Sequence, residues 1–161
     1  MLKGGIGSSE LSTDYSIDTS NTGETSENNT LVSAGGGLVF ESPFVVGAEY
    51  SKMFTNSLFG RTDRYHLEQI KLYGGYRIKF APHFRITPML GTTWWKLESK
   101  SGEWFTVENP RTGVYQGNTI YGQLNLEFPI NHWVTVITSI NRTKYDFGTT
   151  KSIQAGAMFQ F

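Results

Sequence analysis

The feature that most restricts the fold is the regular alternation of short and long connections between segments of alternating apolar and polar residues. Three short breaks place a proline between two aromatic residues, within LVFESPFVV, IKFAPHFRI and LEFPINHWVTV. These short breaks alternate along the chain with longer polar stretches rich in glycine, asparagine and serine, at 16–29, 55–64 and 101–117, and with a brief one at 146–150. Residues of these types mark turns and loops. The seven connections therefore predict eight antiparallel strands joined in chain order.

The segments between these connections have the period of two that is typical of strands, and none has the 3.6-residue period of a helix. The alternation continues to the last residue, because SIQAGAMFQF places Ile153, Phe159 and Phe161 on one face. A meander of eight strands must protect its two edges, so we expect closure into an up-and-down barrel and an all-β fold. The predicted strands lie near 2–15, 30–41, 44–54, 65–80, 84–99, 118–129, 133–145 and 150–161.

Composition narrows the class of protein. A chain of 161 residues predicts one domain spanning 1–161. Its 14 basic and 14 acidic residues balance, so no nucleic-acid partner is predicted. Charged residues make up 17%, below the roughly 25% usual for soluble domains. The absence of cysteine excludes disulfides, and the three scattered histidines predict neither a metal site nor a cofactor.

Two kinds of membrane-directed segment are not predicted. No run of about 18 apolar residues occurs, so the sequence predicts no transmembrane helix. The opening stretch MLKGGIGSSE lacks the apolar core of a signal peptide, which predicts either a cytosolic chain or a mature form.

The apolar face of such a barrel can point inward, as in lipocalins, or outward into lipid. Aromatic residues cluster near both ends of the predicted strands, as at the two interfaces of a membrane. Pairing Phe80 with Phe84 places Ile70 opposite Trp94. The next pair on the same face, Glu68 with Lys96, is charged. The ten steps between Phe80 and Ile70 give an apolar band about 25 Å high at a tilt near 40°. A transmembrane barrel with its apolar face outward is the prediction, and a soluble ligand-binding barrel is the alternative.

The last predicted hairpin gives the same boundary. Pairing Val134 with Phe161 places Ile140 opposite Ala155, and the next outward residues are basic. We expect the apolar band to end there too.

The C-terminal pattern of a polar residue, glycine, an apolar residue and a final aromatic is filled by Gln154, Gly156, Phe159 and Phe161. It resembles the β-signal by which the outer-membrane barrels of Gram-negative bacteria are recognised by their assembly machinery. The whole chain resembles the small eight-stranded barrels of the OmpA, OmpX and Ail type. This resemblance implies a location in the bacterial outer membrane, the barrel assembly machinery as a partner, and a structural or surface-interaction role that includes adhesion.

The interior of an eight-stranded barrel is nearly filled by side chains. Charged side chains in it need partners, so we expect a salt-bridge network in a packed polar lumen. A narrow channel with an ion path is the alternative interpretation. The network is predicted to contain Glu49, Lys71, Arg77, Lys79, Arg85 and Glu127.

Basic residues at the loop-side rim are candidates for binding the phosphates of outer-membrane lipids, including lipopolysaccharide, by charge-assisted hydrogen bonds. Solvated strand ends are the alternative. The candidates are Lys52, Arg64, Lys96, Arg142, Lys144 and Lys151.

The loops of a rigid barrel commonly carry binding residues. The 101–117 loop exposes Trp104, Phe105, Val107 and Tyr115 in this interpretation, so it is the candidate contact for an extracellular protein or surface ligand. The alternative is that these aromatic residues pack on neighbouring loops.

A charged ladder of His66, Glu68, Lys96 and Glu98 is predicted just above the apolar band. An outer-leaflet lipid hydrolase needs a serine, a histidine base and a carboxylate at this height. Lipid A deacylases resemble this architecture but have a His-x-Ser pair, whereas position 68 here is Glu; Ser57, Ser99 and Ser101 are near in sequence. We therefore predict cross-strand ion pairs and no catalytic residue, with a lipid-modifying enzyme as the alternative.

Overall fold

The computed structural model describes residues 1–13, 27–40, 42–55, 64–101, 111–146 and 148–160. Within these ranges, no helix has the length and apolarity needed to cross a membrane. Only Arg77 separates β4 from β5, and both pair with β6, so the two form one interrupted strand of an eight-stranded barrel. The strands are β1 (Leu2–Thr13), β2 (Glu27–Val39), β3 (Phe44–Thr55), β4 (Arg64–Tyr76), β5 (Ile78–Ala81), β6 (Phe84–Ser101), β7 (Arg111–Pro129), β8 (Val134–Tyr145) and β9 (Gly148–Phe159).

The barrel closes through the first and last strands. β1 pairs with β9 from Leu2 opposite Phe159 to Thr13 opposite Gly148. With β4 and β5 counted as one strand, every other pairing joins strands that follow one another in the chain. All pairs are antiparallel. The predicted all-β, eight-stranded up-and-down barrel is confirmed.

The orientation of the apolar face is also as predicted. Leu90 and Ile120 are 70% and 75% exposed on the outer wall, whereas Glu49 and Lys71 are 2% and 1% exposed inside. The inverted, soluble-type barrel would need the opposite arrangement. Leu124 and Val136 are exposed as well. An apolar band around the wall is therefore a surface for lipid hydrocarbon rather than for water.

Aromatic rings gather at the tight-turn end, as expected of an interfacial girdle. The centroid of the Phe84 ring lies 5.2 Å from that of Phe128 and 6.2 Å from that of Phe80. Phe44 and Tyr76 meet edge to face at 5.3 Å.

The strand registers agree with prediction in one hairpin and differ in another. Ile70 faces Trp94 as expected, although a bulge between Lys79 and Ala81 replaces the predicted Phe80–Phe84 pair. The predicted register of the last hairpin is wrong by two residues, because Val134 faces Phe159 rather than Phe161. A shift of two keeps every side chain on its predicted face, whereas a shift of one would reverse the faces.

The hairpin of β6 and β7 is longer than predicted. β7 begins at Arg111, paired with Ser101, so residues 111–117 form strand instead of the predicted loop. From Ile120, near the top of the apolar band, to Arg111 is nine residues, or about 30 Å along the strand and about 23 Å in height. The two strands project beyond the band, and the end of β4 accompanies β6 as far as Arg64, opposite Lys100. Below, "the ribbon" means residues 94–101 with 111–120.

The lumen changes character along its length. Towards the tight turns it carries the predicted polar and charged groups but also buries Val45, Met89, Ile137 and Met158, and towards the loops it contains a second set of buried apolar side chains; the prediction of a polar lumen missed both sets. Neighbouring strands place these side chains side by side, since Leu31 faces Met53 and Leu67 faces both Met53 and Leu97. This apolar layer consists of Leu31, Met53, Leu67, Trp95, Leu97 and Tyr145.

Candidate functional site

The centre of the lumen holds two lysines that share one carboxylate. Lys3, Gly35, Glu49 and Lys71 lie in one cross-strand row on β1 to β4. Lys3 Nζ lies 2.5 Å from Glu49 Oε2, and Lys71 Nζ lies 3.3 Å from Glu49 Oε1. Gly35 allows this contact, because a Cβ there would lie only 2.5 Å from the Ala48 carbonyl oxygen and 3.1 Å from Glu49 Cβ.

Aromatic rings complete the surroundings of the two ammonium groups. Lys71 Nζ lies 5.4 Å from the centroid of the Tyr121 ring, and Lys3 Nζ lies 6.0 Å from that of Tyr73. The negative face of an aromatic ring stabilises a cation at such distances. The rings thus partly compensate the loss of water around two buried cations that share one anion.

A second ion pair lies nearer the tight-turn end. Arg77 Nε is 3.1 Å from Glu127 Oε2, and neither atom has an aligned hydrogen-bond partner among the described residues. The other carboxylate oxygen, Oε1, accepts a 2.6 Å hydrogen bond from the Thr87 hydroxyl. Thr87 therefore holds the carboxylate in the orientation that faces Arg77.

Two residues of the predicted lumen network do not join it. Lys79 is exposed and Arg85 is half-buried, and within the described part of the chain neither makes an ion pair. They face each other on β5 and β6 at the bulge, where the strands reach the end of the barrel. The alternation places both on the inner face, but at this depth the wall is open to solvent, so the prediction is corrected for these two positions.

Hydrogen-bonded polar side chains occupy the lumen between the charged groups and the apolar layer. Gln69 Nε2 donates to the Tyr145 hydroxyl at 2.8 Å, and the Ser33 hydroxyl donates to Gln154 Oε1 at 3.0 Å. From the tight-turn end, the charged groups with the neighbouring cluster of Val45, Tyr73, Met89 and Tyr121 are followed by hydrogen-bonded polar groups and then by the apolar layer. Each of these levels bonds or packs across the lumen.

The predicted lipid-phosphate residues divide into two groups. Lys52 and Lys96 are already paired with carboxylates, at 2.8 Å from Glu68 and 2.7 Å from Glu98. The hydrogen bond that Lys52 donates to Glu68 lowers the pKa of the Glu68 carboxyl and raises the pKa of the Lys52 ammonium group. The hydrogen bond to Glu98 likewise raises the pKa of Lys96.

The second group lies on the last two strands. Arg142 faces Lys151 directly, and Lys144 follows on the same outward face of β8. No described carboxylate pairs with any of these three side chains. Glu10, whose side chain lies outside the described part, is the neighbour of Lys151 on β1. Like charges placed opposite each other repel, so a bound anion would stabilise this pair.

The side chain of Arg64 is outside the described residues, and only its backbone pairing with Lys100 is known. Three of the residues predicted to contact a partner, Trp104, Phe105 and Val107, also lie outside. Tyr115 is described, and it stands on the ribbon with 59% of its side chain exposed next to Val114 at 57%.

The charged ladder has the predicted register, with His66 opposite Glu98 and Glu68 opposite Lys96. The ion pairs differ from the prediction, because Glu68 pairs with Lys52 on β3 and Lys96 pairs with Glu98 on its own strand. The His66 ring meets Phe54 edge to face at 5.7 Å. Ser57 and the side chains of Ser99 and Ser101 lie outside the described residues. Among described residues, no group of three or more His, Asp or Glu could hold a metal ion.

The residues of the predicted assembly signal take different positions on β9. Gln154 is buried in the lumen, Gly156 lies at the closing seam, and Phe159 is 46% exposed towards lipid. Phe161 lies outside the described residues. The role of these residues in assembly stays a prediction.

Two features of this site were missed in the sequence. Lys3 has the inward parity of β1, since Leu2 and Ile6 are exposed, so alternation could have placed it in the lumen, although not beside Glu49. The ribbon was obscured by Gly113 and Gly117, which read as turn residues. Their pairing with β6 overrides that local preference.

Solved structures similar to this chain include barrels of the bacterial outer membrane. Neisserial surface protein A has a TM-score of 0.72 at 9% identity, and the attachment invasion locus protein Ail of Yersinia pestis has 0.65 at 13%, each covering 99% of this chain and 96% of the other. The outer membrane protein OprG of Pseudomonas aeruginosa has 0.61 at 10%, over 99% and 95%. No family model and no curated protein matches the chain. The chain thus has the fold of the small eight-stranded outer-membrane β-barrels, and its apolar band is the surface that a barrel in such a membrane needs.

Proposed function

We propose that this chain is an integral barrel of the bacterial outer membrane that has a closed lumen, contributes to envelope structure and binds an external partner through the ribbon. The observation that carries the proposal is that β6 and β7, with the end of β4 paired to β6, extend about 23 Å beyond the apolar band. A rigid scaffold that displays an extended element to the outside is suited to recognition.

The ribbon has an edge at which a partner can add. β7 pairs with β8 only from Tyr121 onward, so the described partner of residues 111–118 is β6 alone. An open strand edge offers backbone N–H and C=O groups to an extended peptide, and neighbouring side chains then provide specificity. Val114 and Tyr115 are the exposed apolar side chains beside this edge.

The names of the similar proteins agree with a role at the surface, since one is called an attachment invasion locus protein and another a surface protein. Ail has also been solved in complex with the heparin analogue sucrose octasulfate. These properties are those of the named proteins. For this chain, the ribbon is the support for a surface role, and adhesion is the form of it that we propose.

An adhesion assay tests the ribbon. Bacteria that display the wild-type barrel are counted on a coat of extracellular-matrix glycoproteins, and the double variant Val114→Lys with Tyr115→Lys is compared. Lysines on an open edge prevent strand addition, so we expect attachment to fall at least tenfold.

Two controls separate this effect from charge and from misfolding. Val114→Ile with Tyr115→Phe keeps the apolar surface and should attach like wild type. Asp146→Lys adds positive charge at an exposed position on the same side but outside the ribbon, and should also attach. Equal attachment by all four proteins would contradict the adhesive role.

We also propose that the rim binds phosphates of outer-membrane lipids, including lipopolysaccharide. Arg142, Lys144 and Lys151 support this role better than Lys52 and Lys96, which are neutralised by Glu68 and Glu98. The proposed assembly signal at the end of β9 makes the barrel assembly machinery a further partner.

A further inference from the structure

An apolar groove crosses the lipid-facing wall of the barrel. Its larger part is about 740 Å³, extends from Phe44 and Tyr76 to Arg142, and is lined by Pro88, Leu90, Leu124 and Ile140 among others. A second part of about 510 Å³ continues it across β2 and β3 and shares Gly74 and Leu90 with the first.

Two outward glycines make the wall concave along this groove. Gly74 and Gly122 flank Leu90 on the neighbouring strands. A Cβ added at Gly74 would approach no atom closer than 4.0 Å, and one at Gly122 only the Leu90 side chain at 3.8 Å. The space above both glycines is therefore open, and the backbone does not require glycine at either position.

The groove follows one cross-strand row that rises across the wall. The row runs from Val46 through Gly74, Leu90 and Gly122 to Arg142. Its four interstrand steps span about 19 Å. Val46 lies two residues from the tight-turn end of β3, whereas Arg142 lies eight residues from the tight-turn end of β8, so the row ends at the loop-side rim.

The charge at that end selects the occupant. Arg142 lines the groove and faces Lys151, and no described carboxylate pairs with either. A phosphate at the rim with an acyl chain descending from it matches this surface, with the anion at the cations and hydrocarbon over the glycines. In the outer leaflet of an outer membrane, the lipid with phosphates at this height is lipid A.

We propose that the groove is a binding site for one lipid A molecule, whose phosphate lies at Arg142 and Lys151 and one of whose acyl chains lies over Gly122 and Gly74. The inference rests on the proposed lipid-phosphate role of the rim and adds to it a defined place for the acyl chain.

Native mass spectrometry of the barrel tests the site. The protein is refolded into phosphatidylcholine vesicles that contain a small fraction of lipid A, and the lipid A that stays bound after release is counted. Wild type should retain one lipid A molecule. Gly74→Leu with Gly122→Leu fills the groove without straining the backbone, and Arg142→Gln with Lys151→Gln removes the cations. Each double variant should weaken retention about tenfold.

Matched controls carry the same chemical changes elsewhere. Ala34→Leu with Ala155→Leu adds most of the same apolar volume on the outward faces of β2 and β9, away from the groove. Lys52→Gln with Lys96→Gln removes two cations that already have partners. Both controls should retain lipid A. Gel mobility before and after heating verifies that each variant is folded.

The outcomes separate the groove from the phosphate role. Loss of binding only in the Arg142 and Lys151 variant overturns the acyl-chain site and leaves the proposed phosphate role intact. If the Arg142 and Lys151 variant retains lipid A, or if wild type retains dephosphorylated lipid A equally well, both the acyl-chain site and the phosphate role are overturned. A wild-type dimer that the glycine variant converts to monomer would assign the groove to a second copy of the chain and overturn the proposal.

Discussion

At the scale of single residues, the main feature is a carboxylate shared by two buried lysines. Which charges meet inside a barrel depends on the strand registers and on which position lacks a side chain. Here Gly35 separates Lys3 from Glu49 along the row and leaves the space for their contact. The alternation in the sequence predicts that Glu49 and Lys71 point inward, but it cannot predict that Lys3 becomes their third member.

Replacing Glu49 with Gln should strongly destabilise the barrel. The change leaves Lys3 and Lys71 buried without a counter-charge, and breaking a buried ion pair in this way costs about 3–5 kcal/mol. The free energy of unfolding is measured by urea titration in phospholipid vesicles, with tryptophan fluorescence as the signal. Adding Lys71→Met to Glu49→Gln removes one uncompensated cation and should recover part of the loss. A loss below about 1 kcal/mol for the single variant would contradict the shared-carboxylate interpretation.

The surface pair at the rim makes a prediction about pH. The hydrogen bond from Lys52 lowers the pKa of Glu68 below its ordinary value. The pair therefore contributes stability above the pKa that Glu68 has in the unfolded chain, and this contribution is lost as the pH falls through the lower pKa of the folded state. An NMR titration of the Glu68 carboxyl carbon should show its pKa rise in Lys52→Met. An unchanged pKa would mean that the ion pair does not form.

At the scale of strands and hairpins, alternation and turn residues predict faces better than registers. The register of β4 with β6 follows from a proline-containing turn, and its Ile70–Trp94 pair was predicted correctly. The register of β8 with β9 was predicted by pairing Val134 with Phe161, at the end of the hairpin away from its turn. In the structure the turn end determines the register, since only residues 146–147 lie between the paired Tyr145 and Gly148. The extent of β7 was not predicted, because Gly113 and Gly117 indicate a turn and only their pairing with β6 overrides that preference.

The seam between β1 and β9 depends on close backbone contact. A Cβ at Gly156 would lie 2.1 Å from the Gly4 carbonyl oxygen and 2.7 Å from Gly5 Cα. Gly156→Val should therefore prevent closure, and the fraction of purified protein that refolds into lipid vesicles and shows heat-modifiable gel mobility should fall several-fold.

This assay also separates closure from recognition by the assembly machinery, which is absent from it. Ala157→Val, at the next position on the outer face, adds comparable volume towards lipid and should refold normally. Efficient refolding of Gly156→Val would leave the assembly signal as the explanation for glycine at this position.

At the scale of the whole molecule, the outer wall changes from apolar to charged at the top of the apolar band, and the lumen changes from a mixed lining to an apolar layer. Below that level the outer face is apolar, and the inner face carries the ion pairs together with apolar side chains such as Val45 and Met89. Above it, Lys52, Glu68 and Lys96 lie outside while the apolar layer lies inside. The reason is the surrounding medium: a wall in lipid must be apolar, whereas a wall in water can bury its apolar side chains inward, as soluble barrels do. The sequence predicted that the outer wall becomes charged above the band, but the apolar layer inside the lumen at that level was not predicted.

The depth of the band gives the final prediction. Leu124 lies on the outer face of β7, midway between Phe128 in the aromatic girdle and Ile120 at the top of the band, and is 37% exposed. Ile130 lies in the tight turn between β7 and β8 and is 66% exposed. An arginine facing lipid costs about 2–4 kcal/mol at the bilayer midplane but only about 0–1 kcal/mol near the interface. Leu124→Arg should therefore lower the free energy of unfolding in phospholipid vesicles by about 2–4 kcal/mol, and Ile130→Arg by less than about 1 kcal/mol.

Because Leu124 is the less exposed of the two, burial of the arginine in protein would predict the same order, so both variants are also measured in detergent micelles, whose apolar layer adapts to a buried charge. The difference between the two variants should shrink there, and a difference of unchanged size would mean that the band does not face the hydrocarbon of a bilayer.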